Sequence, residues 1–165
     1  MSRNITHIFI HCSAGFGDHA AMQRHWRSLG WRNEGYHRIV YTNGMIIKAV
    51  EFSRVTNGVA NWNSRSIHIC YQGGVNRQNV NQALDTRTLE QNAGLITCIN
   101  EALDWCRTFM PASAVAKIKI LGHRDISPDK NLNGRIDPWE RIKECPSFEV
   151  ADWLKSVKNQ IRLTA

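Results

Sequence analysis

The feature that most constrains the fold of this chain is a short apolar run near its N-terminus, Ile5–His11, with the sequence ITHIFIH. The run is rich in β-branched and aromatic residues, which favour an extended strand. Because most of its side chains are apolar, we expect this strand to be buried under other layers of secondary structure. A chain of 165 residues is long enough to supply those layers in one domain without disulfide bonds.

Helix and turn signals place the remaining elements along the chain. Asp18 is a candidate N-cap for a helix that ends at Gly30. The dipeptide Asn43-Gly44 separates two short apolar segments and predicts an antiparallel hairpin. The other patterned segments are strands at 36–41, 45–50, 66–71 and 117–121, a long helix from 85 to before 111, and a final amphipathic helix capped by Ser147. The sum is a single α/β domain, with a mixed central sheet of about five strands flanked by about three helices.

The composition restricts the classes of partner. A net charge of +7 attracts anionic partners, such as nucleic acid, phospholipid or the acidic polymers of a bacterial envelope. No apolar run approaches the roughly 20 residues of a transmembrane helix, and the sequence contains neither a recognition helix nor an aromatic RNA-binding motif. We therefore expect no transmembrane segment and no nucleic-acid partner.

The cysteines and the N-terminal residues indicate a compartment. The five cysteines are odd in number and show no close pairing pattern, which is typical of a reducing environment. The first residues lack the charged region, apolar stretch and cleavage site of a signal peptide. We expect a monomer that is made in a bacterial cytoplasm.

Three side chains far apart in the sequence are candidate zinc ligands. His11 and His123 each follow the carboxyl end of a predicted strand, and the two imidazoles can converge if those strands are parallel neighbours. Cys145 lies in a polar, loop-like setting. Two imidazoles and a thiolate form a known catalytic zinc set that leaves the fourth position for water. The spacing alone is weak evidence, since a single histidine is more often an ordinary core or surface residue.

Between two of these candidates lies a twelve-residue segment that matches the calcium-loop pattern D-x-[DN]-x-[DN]-G-x5-E. Its candidate calcium ligands, in order, are Asp129, Asn131, Asn133, the carbonyl of Arg135, Asp137 and Glu140. The alternative is a polar Asn-Gly turn of no ionic consequence, because flanking helices are not evident. If calcium binds, we expect it to order the segment that presents Lys143 and Cys145.

Seven ordered groups of residues resemble those of a known enzyme family. The groups are Ile8–Ala14, Gly30–Trp31, Gly35–His37, Asn43–Gly44, Asn63–Ile67 together with Cys70–Gly74, Leu121–Asp125, and Lys143–Phe148. Together they resemble the zinc-dependent N-acetylmuramoyl-L-alanine amidases, which include short phage endolysins and share their fold with the peptidoglycan recognition proteins. The similarity runs in order over nearly the whole chain.

The resemblance implies roles for five residues. His11, His123 and Cys145 occupy the zinc-ligand positions of the family. Tyr36 falls on the tyrosine of the family's G-Y-H motif, and Lys143 falls two residues before the cysteine ligand. Lys143 can stabilise a developing oxyanion, and Tyr36 can hydrogen-bond the attacking water or the tetrahedral intermediate. Without the resemblance, Tyr36 would be interpreted as a core aromatic residue and Lys143 as a solvated loop charge.

One departure from the family pattern concerns a histidine. Many members carry a His shortly before the Asn-x-x-Ser-Ile segment, whereas this chain has NGVANW at Asn57–Trp62. We expect the zinc site to be unaffected and the contact with substrate to differ. His68 lies inside a predicted strand, and we expect it on the pleated surface rather than as a replacement for the missing histidine.

The implied function is zinc-dependent hydrolysis of the amide bond between N-acetylmuramic acid and L-alanine in bacterial peptidoglycan. We expect a phage or prophage endolysin that reaches the cell wall after release through the membrane. The chain, 1–165, is then one catalytic domain with a calcium-loop-like insertion at 129–140. The alternatives are a non-catalytic peptidoglycan-binding module and a zinc peptidase that cuts within the stem peptide. Cys145 argues against the first alternative, because recognition alone does not require a thiolate ligand.

Overall fold

The computed structural model of the chain describes residues 3–164. Its strands are β1 (His7–Cys12), β2 (Arg38–Val40), β3 (Ile46–Lys48), β4 (Ser66–Tyr71) and β5 (Lys119–Gly122). Its α-helices are α1 (His19–Ser28), α2 (Leu89–Arg107), the single turn α3 (Ala112–Val115) and α4 (Val150–Val157). Within residues 3–164, every helix is too short or too polar to cross a lipid bilayer.

The apolar run near the N-terminus forms β1, which lies inside the sheet as predicted. The strand order is β3-β2-β4-β1-β5. Strand β1 pairs in parallel with β4 and β5, β2 pairs in parallel with β4, and β3 pairs antiparallel with β2. The mixed five-stranded sheet is therefore confirmed, and the hairpin at Asn43-Gly44 supplies its antiparallel edge.

The two faces of the sheet carry different side chains because successive residues of a strand point to opposite sides. Ile8 and Ile10 of β1 belong to the main core, which α2 and α4 complete. Phe9 and His11 project to the other face, where the ring of Phe9 stacks on that of His68. Helix α1 covers part of this second face with buried apolar side chains. The functional candidates thus lie on the face that α1 covers only in part.

Three residues, Asp18, Gly30 and Ser147, were predicted to begin or end helices. Asp18 caps α1 by accepting a hydrogen bond from the N–H of Ala21 at 2.8 Å, and Gly30 follows the helix with a positive φ of 76°. The predicted cap at Ser147 is wrong. Ser147 has a φ of 71° and its hydroxyl donates to the carbonyl of Gly74 at 2.8 Å, so α4 begins only at Val150. The described residues contain four α-helices instead of three, because a short turn follows Pro111.

Candidate metal centre and active site

Two imidazoles meet at the edge of the sheet where the parallel strands end. His11 is the penultimate residue of β1, and His123 follows directly after β5. Because β1 and β5 are parallel neighbours, their carboxyl ends lie at the same edge. The two ring centroids are 5.0 Å apart. The fold therefore brings the His11 and His123 imidazoles together, as the sequence predicted.

Cys145 is brought to the same place by hydrogen bonds at the base of its loop. The N–H of Arg124 donates to the carbonyl of Cys145 at 2.8 Å, and the N–H of Cys12 donates to its Sγ at 3.3 Å. Sγ lies 3.6 Å from Nδ1 of His11. A tetrahedral zinc with bonds of about 2.0 Å to nitrogen and 2.3 Å to sulfur would separate these two atoms by about 3.5 Å, close to the distance observed. The ligand atoms of His11, His123 and Cys145 all lie within 4.8 Å of one another.

The electrostatic setting of this group suits a divalent cation. Burial lowers the pKa of His11 well below its ordinary value and that of His123 to about 4, so both rings keep a free lone pair at neutral pH. The neighbouring Cys12 thiol and burial raise the pKa of Cys145, so a thiolate there needs a cation beside it. Among residues 3–164, these three form the one group of three or more histidine, cysteine or acidic side chains whose ligand atoms converge.

A cavity of about 450 Å³ opens beside the candidate ligands, and its lining includes His123 and Cys145 but not the buried His11. One wall is formed by α1 and the residues that follow it, and the opposite wall by the loop that carries Lys143. The lining is mainly apolar along α1, with Met22 and Trp26 at its base. A concave site with an apolar wall and a few converging polar groups is the usual form of a substrate pocket.

Tyr36 borders this cavity beside the candidate metal ligands. Its ring centroid lies 5.0 Å from that of His11 and 5.5 Å from that of Trp26. A Cβ at Gly35 would come within 3.0 Å of the Trp26 ring, so glycine allows this close packing. Burial raises the pKa of Tyr36 well above its ordinary value, which keeps the hydroxyl protonated.

Lys143 reaches the cavity from a loop that ionic contacts hold in place. Arg124 is buried and pairs with Glu149, while Arg141 pairs with both Glu144 and Glu149 at 3.2 Å and 2.8 Å. These contacts join the turn after His123 to the residues on either side of Lys143. The Lys143 side chain itself is exposed and lines the cavity.

The comparisons with known proteins agree with this geometry. Residues 1–140 match the family model described as N-acetylmuramoyl-L-alanine amidase. The chain belongs to the N-acetylmuramoyl-L-alanine amidase family. It is an amidase that hydrolyses the bond between N-acetylmuramic acid and L-alanine in peptidoglycan.

Individual relatives of this amidase support the same assignment. An endolysin of Enterobacteria phage K11 is 27% identical over 154 residues, which cover 90% of this chain and 85% of the relative. The amidase LysC from Clostridium intestinale has a similar structure, with a TM-score of 0.63 and 18% identity over 94% of this chain and 87% of LysC. Drosophila PGRP-LB, a peptidoglycan recognition protein, gives a TM-score of 0.62 and 18% identity over 94% of this chain and 82% of that protein. The fold expected from the family resemblance is confirmed.

The calcium-like loop of the amidase folds around its own hydrogen bonds. Asp129 accepts from the N–H groups of Asn133 and Gly134, and Gly134 has a φ of 82°. Asp137 accepts from the side-chain amides of Asn131 and Asn133. The Glu140 carboxylate is buried and accepts three backbone N–H groups within the loop, those of Lys130, Asn131 and Asp137. Arg135 is exposed.

The site contains one residue whose position the sequence did not predict correctly. His68 was expected on the pleated surface, but it is fully buried against the metal ligands. Its Nδ1 lies 3.1 Å from Nε2 of His11. The expectation failed because the loop at 56–62 folds over this face of β4, which the alternation within the strand does not reveal. The absence of a histidine from that loop was the signal that could have drawn attention to His68.

Proposed function

We propose that this amidase acts with a zinc ion held by His11, His123 and Cys145, and that it serves as a phage or prophage endolysin. The observation that carries the proposal is the convergence of two neutral imidazoles and a half-buried thiol beside a cavity, with 3.6 Å between Nδ1 of His11 and Sγ of Cys145. The name endolysin of the K11 relative supports the biological role. The enzyme would be a monomer of one catalytic domain that reaches the cell wall after release through the membrane.

The residues of the cavity divide the chemistry among them. Zinc bound there would supply a Lewis acid that polarises the scissile carbonyl and activates water near neutral pH. Tyr36 holds a protonated hydroxyl beside the ligands and donates to the oxygen on which negative charge develops. Lys143 places an ammonium group at the same cavity and stabilises that charge by its own field. The apolar wall along α1 excludes water from the rest of the substrate.

A digest of purified sacculi, followed by mass spectrometry, tests this function. We expect free stem peptides that begin with L-alanine, about one zinc per chain, and loss of activity on chelation that zinc restores. The variant Cys145→Ala is the control, because it removes the thiolate and should release no peptide. Intact murein with the parent protein would reject catalysis, and cuts inside the stem would favour a peptidase.

We also propose that the insertion Asp129–Glu140 binds Ca²⁺ and orders the segment that presents Lys143. The support is the match of five side-chain ligands and of the turn at Gly134 to the calcium-loop pattern, together with the clustering of Asn131 and Asn133 on Asp137. Asparagine at two ligand positions lowers the charge of the site, so the affinity should be moderate.

The calcium-dependent change in melting temperature is the informative measurement, because Glu140 also holds backbone amides and its loss destabilises the loop in any buffer. We expect Ca²⁺ to raise the Tm and the activity of the zinc-loaded parent, and Glu140→Ala to abolish both responses. Asp152→Ala on α4 removes an exposed carboxylate and should retain them. A parent whose Tm and activity ignore Ca²⁺ while zinc is retained would exclude the site.

A further inference from the structure

A line of hydrogen bonds runs from the metal ligand His11 away from the cavity. Nε2 of His11 lies 3.1 Å from Nδ1 of His68, and Nε2 of His68 lies 3.1 Å from Oγ of Ser66. The Ser66 hydroxyl in turn donates to the carbonyl of Trp62 at 2.7 Å. His11, His68 and Ser66 are all buried, so no solvent competes for these groups.

The carbonyl of Trp62, the last group in this line, fixes the direction of donation in every hydrogen bond before it. A carbonyl only accepts, so the Ser66 hydroxyl proton points to Trp62 and its oxygen is left to accept from Nε2–H of His68. A neutral imidazole carries one N–H, so Nδ1 of His68 is an acceptor and receives the proton on Nε2 of His11. Nδ1 of His11 is then bare, and it is the nitrogen that faces Cys145 Sγ.

The position of the His68 ring depends on a glycine in the covering loop. A Cβ at Gly58 would lie 2.3 Å from both Cγ and Nδ1 of His68, a distance that no packing tolerates. The backbone of Gly58 does not have a positive φ, so a glycine is needed at this position for space and not for backbone conformation. The loop thus leaves a volume that the imidazole from β4 fills.

We propose that His68 is a positioning residue, which fixes His11 in the tautomer that presents Nδ1 to the metal, and that Gly58 provides the space for it. The inference rests on the zinc site proposed above. In this chain, His68 of β4 therefore fills the space that we assign to the loop histidine carried by many family members. Metal-ligating histidines generally donate their second N–H to such a partner, and loss of the partner weakens metal binding.

Two substitutions of equal size test the acceptor. His68→Leu removes it, whereas His68→Asn keeps a carbonyl oxygen near the place of Nδ1 and an amide that can donate to Ser66. By chelator competition we expect zinc to bind about 10- to 100-fold more weakly to the leucine variant and close to parental affinity in the asparagine variant. Urea unfolding of the metal-free proteins separates this from a purely structural role, which would lower stability without changing zinc affinity.

Equal zinc affinity of parent and leucine variant would overturn the proposal. A parent that binds no zinc would overturn the metal site itself, so the two failures are distinguishable. The ¹⁵N chemical shifts of the His11 ring in the metal-free parent give a readout that needs no variant. We expect the proton on Nε2, and a proton on Nδ1 would contradict the proposal.

An exchange of the two residues tests the shared space. Gly58→His alone should clash with His68, and His68→Gly alone should leave a cavity and His11 without its acceptor. The double variant returns an imidazole to the same volume from the loop side. We expect it to bind zinc more tightly than either single variant, with a coupling beyond the sum of the two. A double variant that binds zinc no more tightly than the tighter-binding single variant would show that the two side chains do not share this space.

Discussion

Tyr36 has surroundings that restrict a single residue to one chemical role. Burial raises its pKa, so at neutral pH the phenol is a hydrogen-bond donor and not a base. The rings of His11 and Trp26, at 5.0 Å and 5.5 Å, hold it beside the ligands. Under the proposed mechanism, this hydroxyl would act as a donor that is held near the reacting oxygen before substrate binds, which is what makes such groups effective in a transition state.

Removal of the Tyr36 hydroxyl should lower the rate of the reaction and leave substrate affinity almost unchanged. For Tyr36→Phe we expect kcat to fall by about 10²-fold with little change in KM, since the lost bond forms chiefly in the transition state. Tyr41→Phe is the matched control, because that hydroxyl accepts from the N–H of His19. Steady-state kinetics on a soluble muropeptide would show the difference. Similar kcat values for the two variants would contradict the role of Tyr36.

The positions of some site residues could be predicted from the sequence, whereas those of others could not. His11 and His123 could be placed together because strand ends of a parallel sheet share an edge. Cys145 was marked only by its polar, loop-like setting, which is a weak signal, and Tyr36 was singled out only by the family resemblance. His68 could not be placed from its own strand, since its surroundings depend on Gly58, ten residues earlier in a loop without periodicity.

At the scale of one element, the N-terminal end of α2 is bonded to the sheet on which the helix packs. Thr88 and Gln91 form a reciprocal capping box, in which each side chain bonds the other's backbone N–H. The buried amide of Gln91 also donates to the carbonyls of Val40 and Gln72 at the ends of β2 and β4. The cap therefore stabilises the helix and also satisfies the sheet edge beneath it.

Removal of this cap should be visible in stability alone. We expect Thr88→Ala to lower the free energy of unfolding by about 1 kcal/mol. Thr97→Ala on the same helix is the control, because its exposed hydroxyl bonds only to the carbonyl of Ala93 one turn earlier. Urea unfolding gives both values, and zinc affinity should not change. Equal stability of the two variants would show that the cap contributes little.

Elements were predictable where a local rule governs them. The turn at Asn43-Gly44, the cap at Asp18 and the stop at Gly30 each rest on the conformational preference of one or two residues, and the structure has them as expected. Ser147 failed as a cap because a tertiary contact, its bond to Gly74, outweighs the local preference. Strand β4 has its predicted bounds, whereas the ends of the other strands differ from the prediction by one or two residues.

For the molecule as a whole, buried neutral histidines make stability depend on pH. Burial lowers the pKa of His37 to about 3, whereas the same side chain titrates near 6.5 in the unfolded chain. Between these values the unfolded state binds one more proton. The free energy of unfolding therefore falls as the pH falls through this window, by about 1.4 kcal/mol per pH unit for this residue. Above pH 6.5 neither state is protonated and the contribution is level.

Urea unfolding of the metal-free protein at several pH values between 7 and 5 measures this slope. Over this range we expect the free energy of unfolding of His37→Gln to fall by about 2 kcal/mol less than that of the parent. His25→Gln, which removes an exposed imidazole from α1, should keep the parental slope. Parallel slopes for the parent and the His37 variant would contradict the prediction.

The overall arrangement was only partly predictable. The class, an α/β domain with a mixed sheet, follows from the alternation of strand and helix signals. The order β3-β2-β4-β1-β5 does not, because strand neighbours are chosen by packing between segments as far apart as β1 and β5. The two ligands on these strands therefore depend on a contact across more than a hundred residues.

The segment that carries the calcium-like loop is fastened at its base twice. Arg124 donates to Cys145, and the N–H of Ile142 donates to the hydroxyl of Ser127 at 3.0 Å. A loop with closed ends can change its length at small cost, about 0.6 kcal/mol for each doubling. The segment 128–141 can therefore be lengthened or shortened while these two bonds keep its ends, and with them His123 and Cys145, in place.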